Sequence, residues 1–236
     1  MNLAIIIPAY NEGKRIGSTL SRIISYIKNQ DFLSRIIVVN DGSVDDTIKV
    51  VAEYCDCGIP IDTYTQTRNK GKGASVKRGI EMAQSDYVLF SDADLSTPIE
   101  ELGNMLEHIE RGYDIVIGSR ATIGSDIVKK QSIGRQSMGI IFNHLVQFFV
   151  FKGIKDTQCG FKLFRTDVAK KIVSYQMING FAFDVELLYI AKKMGYLVLE
   201  APVKWKHVEL SRVNVIKDAF DMFLSILFIK YRHRNL

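Results

Sequence analysis

Asp92 and Asp94 stand one residue apart, with Ala93 between them, in the stretch YVLFSDADLS at residues 87–96. At a strand end, residues i and i+2 point to the same side, so both carboxylates can reach one point. Two like charges held that close repel each other. A hard divalent cation, Mg2+ or Mn2+, removes the repulsion, and such ions are commonly held by one or two carboxylates together with substrate phosphates. The same pair also suits a helix cap, since Pro98 opens a helical pattern and acidic groups favour helix N-termini. Three further polar clusters deserve the same question: Tyr10-Asn11-Glu12, Asp41-Gly42-Ser43 and the region of Arg120.

The elements that would position these clusters follow from hydrophobic periodicity. LAIIIPA reads as a fully buried strand, and Ile16, Leu20, Ile23, Ile24 and Ile27 recur at helical spacing. RIIVVN is a second strand, with Asp45 as the expected N-cap of the helix carrying Ile48, Val51 and Ala52. IDTYT is a third strand, and NKGKGASVKRGIEMA is a glycine-rich entry into a helix. DYVLFSD and DIVIGS complete five strands, with a helix from Pro98 to Arg111 between them. Strands alternating with helices predict βαβ units and a mostly parallel, Rossmann-like sheet flanked by helices, an α/β fold. Such a sheet binds ligands beyond the carboxyl ends of its strands, where all four polar clusters fall.

Residues 121–131 read as a mobile loop, and the apolar helix MGIIFNHLVQFFVF follows. Then come DTQCGFKLF, a short helix after Thr166, the helix FDVELLYIAKKMG, a strand LVLEAPVKW and a last helix from about Val213. No linker or repeat divides the 236 residues, which are expected to form one domain, with 1–120 as a nucleotide-binding half and 121–236 building upon it. With 47% hydrophobic and 24% charged residues, the composition is that of a folded chain with a sizeable core. Three cysteines, two of them only two positions apart, exclude a disulfide framework. Residues 1–120 carry 13 Lys and Arg against 17 Asp and Glu, whereas 121–236 carry 18 against 9. This asymmetry suits different partners for the two halves, or merely helix surfaces that differ. No signal peptide and no run of about 18 apolar residues is present.

The ordered set PAYNE, NDGSVDDT, RNKGKG and DADLS resembles the family 2 glycosyltransferases of the GT-A fold. GSR at 118–120, DTQCGFKLF at 156–164, FAFDVELLYIAKKMG at 181–195 and the tryptophan of PVKW extend the likeness to polyprenyl-phosphate sugar transferases. Within that group the dolichyl-phosphate β-glucosyltransferases are most similar. The resemblance covers nearly the full chain. It implies that Pro8, Tyr10 and Glu12 line a nucleoside pocket and that Asp41 hydrogen-bonds the base. NDGS also has the composition of a plain turn. Gly71 and Gly73 would let the backbone approach the nucleotide, with the charge of Lys72 beside it. Asp92 and Ala93 would border the ribose or metal, and Asp94 would ligate the Mg2+ or Mn2+ that bridges the diphosphate.

The acceptor implied is a polyprenyl or dolichyl phosphate, which is already anionic near neutral pH and needs no general base. Its phosphate must instead be neutralised and aimed, the part expected of Arg120 and Arg135, with Lys129 and Lys130 assisting. Asp184 and Glu186 would orient the sugar or acceptor, or form an N-cap and a structural ion pair. The last helix and GIIFNHLVQFFVF, apolar on one face and basic at the KYRHR end, fit a membrane interface. They fit a core or dimer face as well. The resemblance favours a peripheral enzyme on the cytoplasmic face of a membrane, using a nucleotide-sugar donor and no nucleic acid; a homo-oligomer or a membrane subunit stays open. UDP-glucose is the expected donor, with GDP-mannose or another UDP-sugar as alternatives. A D-x-D phosphatase would place its pair after the first strand, and a dinucleotide-binding domain would carry G-x-G-x-x-G there. Neither pattern is present; a non-catalytic nucleotide-binding module is the remaining rival.

Overall fold

A computed structural model describes residues 1–129, 133–208 and 215–236, without the side chains of 129, 133–138, 140 and 215–220. The elements run β1 (Asn2–Ala9), α1 (Ile16–Ile27), β2 (Leu33–Asn40), α2 (Thr47–Ala52), β3 (Ile61–Thr65), α3 (Lys72–Met82) and β4 (Tyr87–Ser91). A 3-10 turn (Ile99–Glu101) leads into α4 (Leu102–Glu110), β5 (Ile115–Ser119), β6 (Asp126–Lys129) and α5 (Ile133–Phe149). The chain continues through β7 (Phe161–Arg165), α6 (Thr166–Tyr175), α7 (Phe183–Lys193), β8 (Val198–Pro202), β9 (Lys204–Lys206) and α8 (Val215–Arg232).

Seven strands form one sheet in the order β3-β2-β1-β4-β7-β5-β8. Strands β3, β2, β1 and β4 pair in parallel, as do β5 and β8, so the mostly parallel sheet read from the sequence is the sheet found. The exception is β7, which inserts antiparallel between β4 and β5, with Phe90 opposite Lys162 and Ile117 opposite the same lysine. Alternate residues of β1 enter opposite faces, as a period of two demands. Leu3, Ile5 and Ile7 pack with Ile16, Leu20 and Ile23 of α1 and Leu102 and Met105 of α4. Ala4 and Ile6 face the other layer with Val76, Phe183, Leu188, Ile226 and Ile229.

Three expectations change. Residues 121–131 are not loop throughout, because Asp126 and Ile127 pair in parallel with Lys204 and Trp205 in a two-stranded sheet of β6 and β9. LVLEAPVKW is two strands in two sheets, broken at Val203. The cap residue of α2 by position is Asp46, yet Asp45 does the capping work, its Oδ1 accepting the Thr47 N–H at 3.0 Å. The helices α5 and α8 pack on each other and bury one face each, through Phe142 and Val146 on one and Ile226 and Ile229 on the other. Their outer faces expose Ile141, Phe148, Leu224, Leu227, Phe228 and Tyr231. No helix among the described residues is long and apolar enough to cross a membrane.

Candidate active site

The polar clusters of the first half meet at the carboxyl ends of β1, β2 and β4. Two loops there are stitched together. Asn11 N–H donates to Ser43 Oγ at 2.9 Å, Val44 N–H to Asn11 Oδ1 at 2.9 Å, and Glu12 N–H to Thr47 Oγ1 at 2.8 Å. Among the described residues, only Asn11 (φ 54°) and Leu95 (φ 45°) are non-glycine residues with left-handed backbone, and both lie in these site loops. Asparagine takes that region readily, but leucine does so at a cost of about 1–2 kcal/mol. The turn after β4 is held in spite of it: Leu95 N–H donates to Asp92 O at 3.2 Å and Ser96 N–H to Asp94 Oδ1 at 2.9 Å. That turn sets both carboxylates at the strand end.

Each carboxylate faces a cation. Lys72 Nζ lies 2.6 Å from Asp92 Oδ1, and Arg15 Nη1 lies 4.0 Å from Asp94 Oδ2. Although burial works the other way, Asp92 and Asp184 raise the Lys72 pKa, and Glu12 with Asp94 and Asp92 raises that of Arg15. Arg15 also grips Glu12 through two nitrogens, so Glu12 enters the site as the partner of Arg15. Asp92 N–H donates to Gly160 O at 2.9 Å, and a Cβ at Gly160 would collide with the Asp92 carboxylate. This cradle of hard oxygen donors beside a residue with no side chain fits Mg2+ or Mn2+. Asp92 and Asp94 would hold the ion, leaving its other positions to phosphate and water.

Behind the pair lies a second charged layer. Lys162 of β7 is fully buried; its Nζ donates to Asp184 Oδ1 at 2.5 Å and to Cys159 O at 2.6 Å. Burial pushes the Asp184 carboxyl up, opposed by Lys162 and Lys72. The ring of Phe90 sits between the two lysines, 5.2 Å from Lys72 Nζ and 5.7 Å from Lys162 Nζ, where a π face favours cations. Across β7, Arg120 donates from Nε and Nη2 to Asp156 at 2.7 and 2.8 Å, and its backbone N–H donates there too. Its guanidinium lies 5.4 Å from the Trp205 ring centre. Trp205, Gly160, Asp92, Ser96 and Thr97 line a small pocket between these groups. Cys159 is buried there with its thiol pushed up to about 11 by desolvation, so it is no nucleophile.

The structure thus sets Asp92 against Lys72 with Asp184 behind, and Asp94 beside Arg15, with Arg120 on the far side of β7; Ala93 is buried toward α1, its carbonyl accepting Thr19 Oγ1. Pro8 is a strand residue paired with Val39, and Tyr10 is exposed at the rim. Asp41 sits under the glycine-rich loop, accepting the N–H groups of Lys70 and Gly71 at 2.8 Å each and Gln66 Nε2 at 2.9 Å. Glu186 faces the backbone of Met177 and Ile178. The side chains of Arg135 and Lys129, and all of Lys130, lie outside the described residues. Sequence reading missed Arg15, Lys162 and Asp156. Arg15 was signalled by Glu12 three positions earlier at a helix start, and Lys162 by a lysine inside the apolar run CGFKLF.

The sequence matches the family described as Glycosyl transferase family 2 over residues 4–173. A dolichyl-phosphate beta-glucosyltransferase of Dictyostelium discoideum is 36% identical, over 98% of this chain and 74% of that one. The protein of the same name from Homo sapiens is 33% identical, over 98% and 75%. Among solved structures, mannosyl-3-phosphoglycerate synthase from Rubrobacter xylanophilus superposes with a TM-score of 0.73 at 16% identity, over 100% of this chain and 76% of that one. Glucosyl-3-phosphoglycerate synthase from Mycobacterium tuberculosis, in complex with Mn2+ and uridine-diphosphate-glucose, gives 0.68 at 16%, over 98% and 78%. The fold is shared with these glycosyltransferases.

Proposed function

The chain belongs to glycosyl transferase family 2, and from that premise we propose that it moves glucose from UDP-glucose to a dolichyl or other polyprenyl phosphate with inversion at the anomeric carbon. The observation that carries this reading is the strand-end pair Asp92 and Asp94 with Lys72 2.6 Å away, in a chain aligned over 98% of its length with dolichyl-phosphate beta-glucosyltransferases.

A bound divalent cation supplies electrostatic stabilisation of the departing diphosphate, the main demand of this reaction. The protein does the rest by placement. Gly71 and Gly73 let the entry to α3 sit directly against the backbone of residues 178–179, and Lys72 brings an ammonium to the diphosphate side. Asp41 holds that loop from beneath and borders the base pocket, with Pro8, Tyr10 and Glu12 along its rim. Asp94, with Arg15 behind it, presents a carboxylate to the cation, and Asp92 and Ala93 border the ribose. An oxygen of the acceptor phosphate forms the new bond to the anomeric carbon as the bond to the diphosphate breaks, and the electron pair leaves with UDP. No proton has to be removed from the acceptor, because its phosphate is already ionised near neutral pH. Arg120 and Arg135 neutralise and aim that phosphate; Asp156 fixes the guanidinium of Arg120 in a bidentate grip, leaving its remaining N–H groups for the acceptor. Asp184 orients the sugar through the Lys72 and Lys162 layer.

The exposed outer faces of α5 and α8 support a seat on a membrane surface. Phe148, Leu227, Phe228 and Tyr231 are exposed, and Lys230, Arg232 and Arg234 follow at the basic end of α8. Aromatic and leucine residues beside cations suit an anionic lipid interface, where a prenyl chain would arrive. Purified protein should release UDP from UDP-glucose only when a polyprenyl phosphate and Mg2+ or Mn2+ are both present. Release that ignores the lipid phosphate, or that proceeds equally with GDP-mannose, would remove the reading.

A further inference from the structure

The two acids of α7 serve different neighbours, and the second leads away from the chemistry to the end of the chain. Glu186 is fully buried and faces the segment before α7. Its carboxylate accepts the Met177 N–H at 3.1 Å and the Ile178 N–H at 2.7 Å, and its Oε1 lies 2.7 Å from Nε2 of His233. His233 follows α8, is 2% exposed, and packs beside the Tyr189 ring with 6.3 Å between centroids. A histidine among the basic residues of KYRHR is thus the one that turns inward.

The segment that Glu186 grips is the seat of the glycine-rich loop. Asn179 O accepts N–H groups from Gly73 at 2.7 Å and Ala74 at 3.2 Å. Gln176 Nε2 donates to Gly73 O and Ile178 O at 2.9 Å each. A Cβ at Gly73 would lie 2.6 Å from Ile178 O, and one at Gly71 would run into Asn179 O, so the two backbones are in direct contact. Lys72, between those glycines, reaches Asp92. A continuous path therefore joins the imidazole to a buried carboxylate, that carboxylate to two amides, and those residues to the loop carrying Lys72.

We propose that His233 is a positioning residue for the donor site, holding Glu186 so that residues 177–179 fix the Gly71–Gly73 turn. The proposal rests on the reading of that turn as part of the nucleotide-sugar site. A buried carboxylate deprived of one partner takes up the deficit by shifting, and its other partners here are the amides that seat the loop.

The test is calorimetric titration of the full chain with UDP and Mn2+, together with KM values for UDP-glucose and the lipid phosphate. His233→Ala should raise the UDP Kd and the donor KM about tenfold, while kcat and the acceptor KM stay within about twofold. His233→Gln, whose amide reaches the place of Nε2, should restore donor affinity. Unchanged UDP affinity in His233→Ala, or equal losses for donor and acceptor, overturns the proposal. Should that variant not fold, His233→Asn, which stops short of Nε2, takes its place with the same two outcomes. Wild-type protein that binds no UDP overturns the donor-site reading and this proposal with it. Wild-type binding with an unaffected variant overturns this proposal alone.

Discussion

The strand end after β4 and the first turn of α7 carry the same short pattern, two acids separated by one residue, and the fold treats them oppositely. Just past the end of β4, Asp92 and Asp94 lie in the turn closed by Leu95, one beside Lys72 and the other beside Arg15, and both stay partly open. On the helix the same spacing rotates the second acid by about 200°, so Asp184 meets Lys162 while Glu186 meets the backbone of residues 177–178. Lys72 and Arg15 partly offset the open pair, whose carboxylates stay partly exposed. The helical pair is buried and fully committed to protein partners. The same spacing thus yields an accessible pair in a turn and a buried, divided pair on a helix.

The comparison breaks most visibly at Asp94. Asp94→Ala should lower turnover of UDP-glucose by about 10³-fold, since a metal's charge stabilisation is worth several kcal/mol. Its unfolding free energy should fall by about 1 kcal/mol at most, because the lost Ser96 N–H bond is offset by removal of one of two repelling charges. Asp184→Asn should cost more in stability, lowering the unfolding free energy by about 3 kcal/mol in urea titrations, because Lys162 is left buried without a counter-charge. Equal stability losses in the two variants would erase the distinction.

Two smaller effects sharpen it. Phe228→Asp should reduce co-sedimentation with anionic vesicles by about tenfold or more, from the lost burial of one aromatic side chain, with turnover of a short-chain acceptor unchanged. Asp156→Asn tests a committed carboxylate by pH. Against the upward push of burial, Arg120 holds the Asp156 carboxyl below its ordinary 3.8. Its contribution is therefore present above that ordinary value and is lost as pH falls through the depressed one. Thermal melts should show a deficit of about 2 kcal/mol for Asp156→Asn at neutral pH, shrinking as the solution is acidified. A deficit that grows on acidification would reverse the assigned direction.

The parallel core was legible because its strands are continuous apolar runs, as in LAIIIPA and RIIVVN, a pattern that burial on both faces imposes. The polar clusters were legible because they follow those runs directly. β7 was not, since a buried lysine in CGFKLF contradicts a core strand until Asp184, from a later helix, is known to face it. Arg15 was hidden by reading Glu12 alone, and β6 by a partner strand far along the chain at Lys204–Lys206. The inward turn of His233 had no local signal at all, for KYRHR reads as solvated charge.

The late arrival of β7 also bears on how the protein is made. Ser91 finds its register partner in Phe161, about 70 residues later. Until then the ribosome has released Tyr87–Ser91 paired only to β1, an apolar strand with a bare edge, the kind of surface that seeds association between nascent chains. Emergence of Phe161–Arg165 closes that edge. The same act brings Gly160 against Asp92 and Lys162 behind it. Closing the β4 edge and assembling the first part of the donor site are therefore one event, with residues 177–179 and Asp184 still to be added.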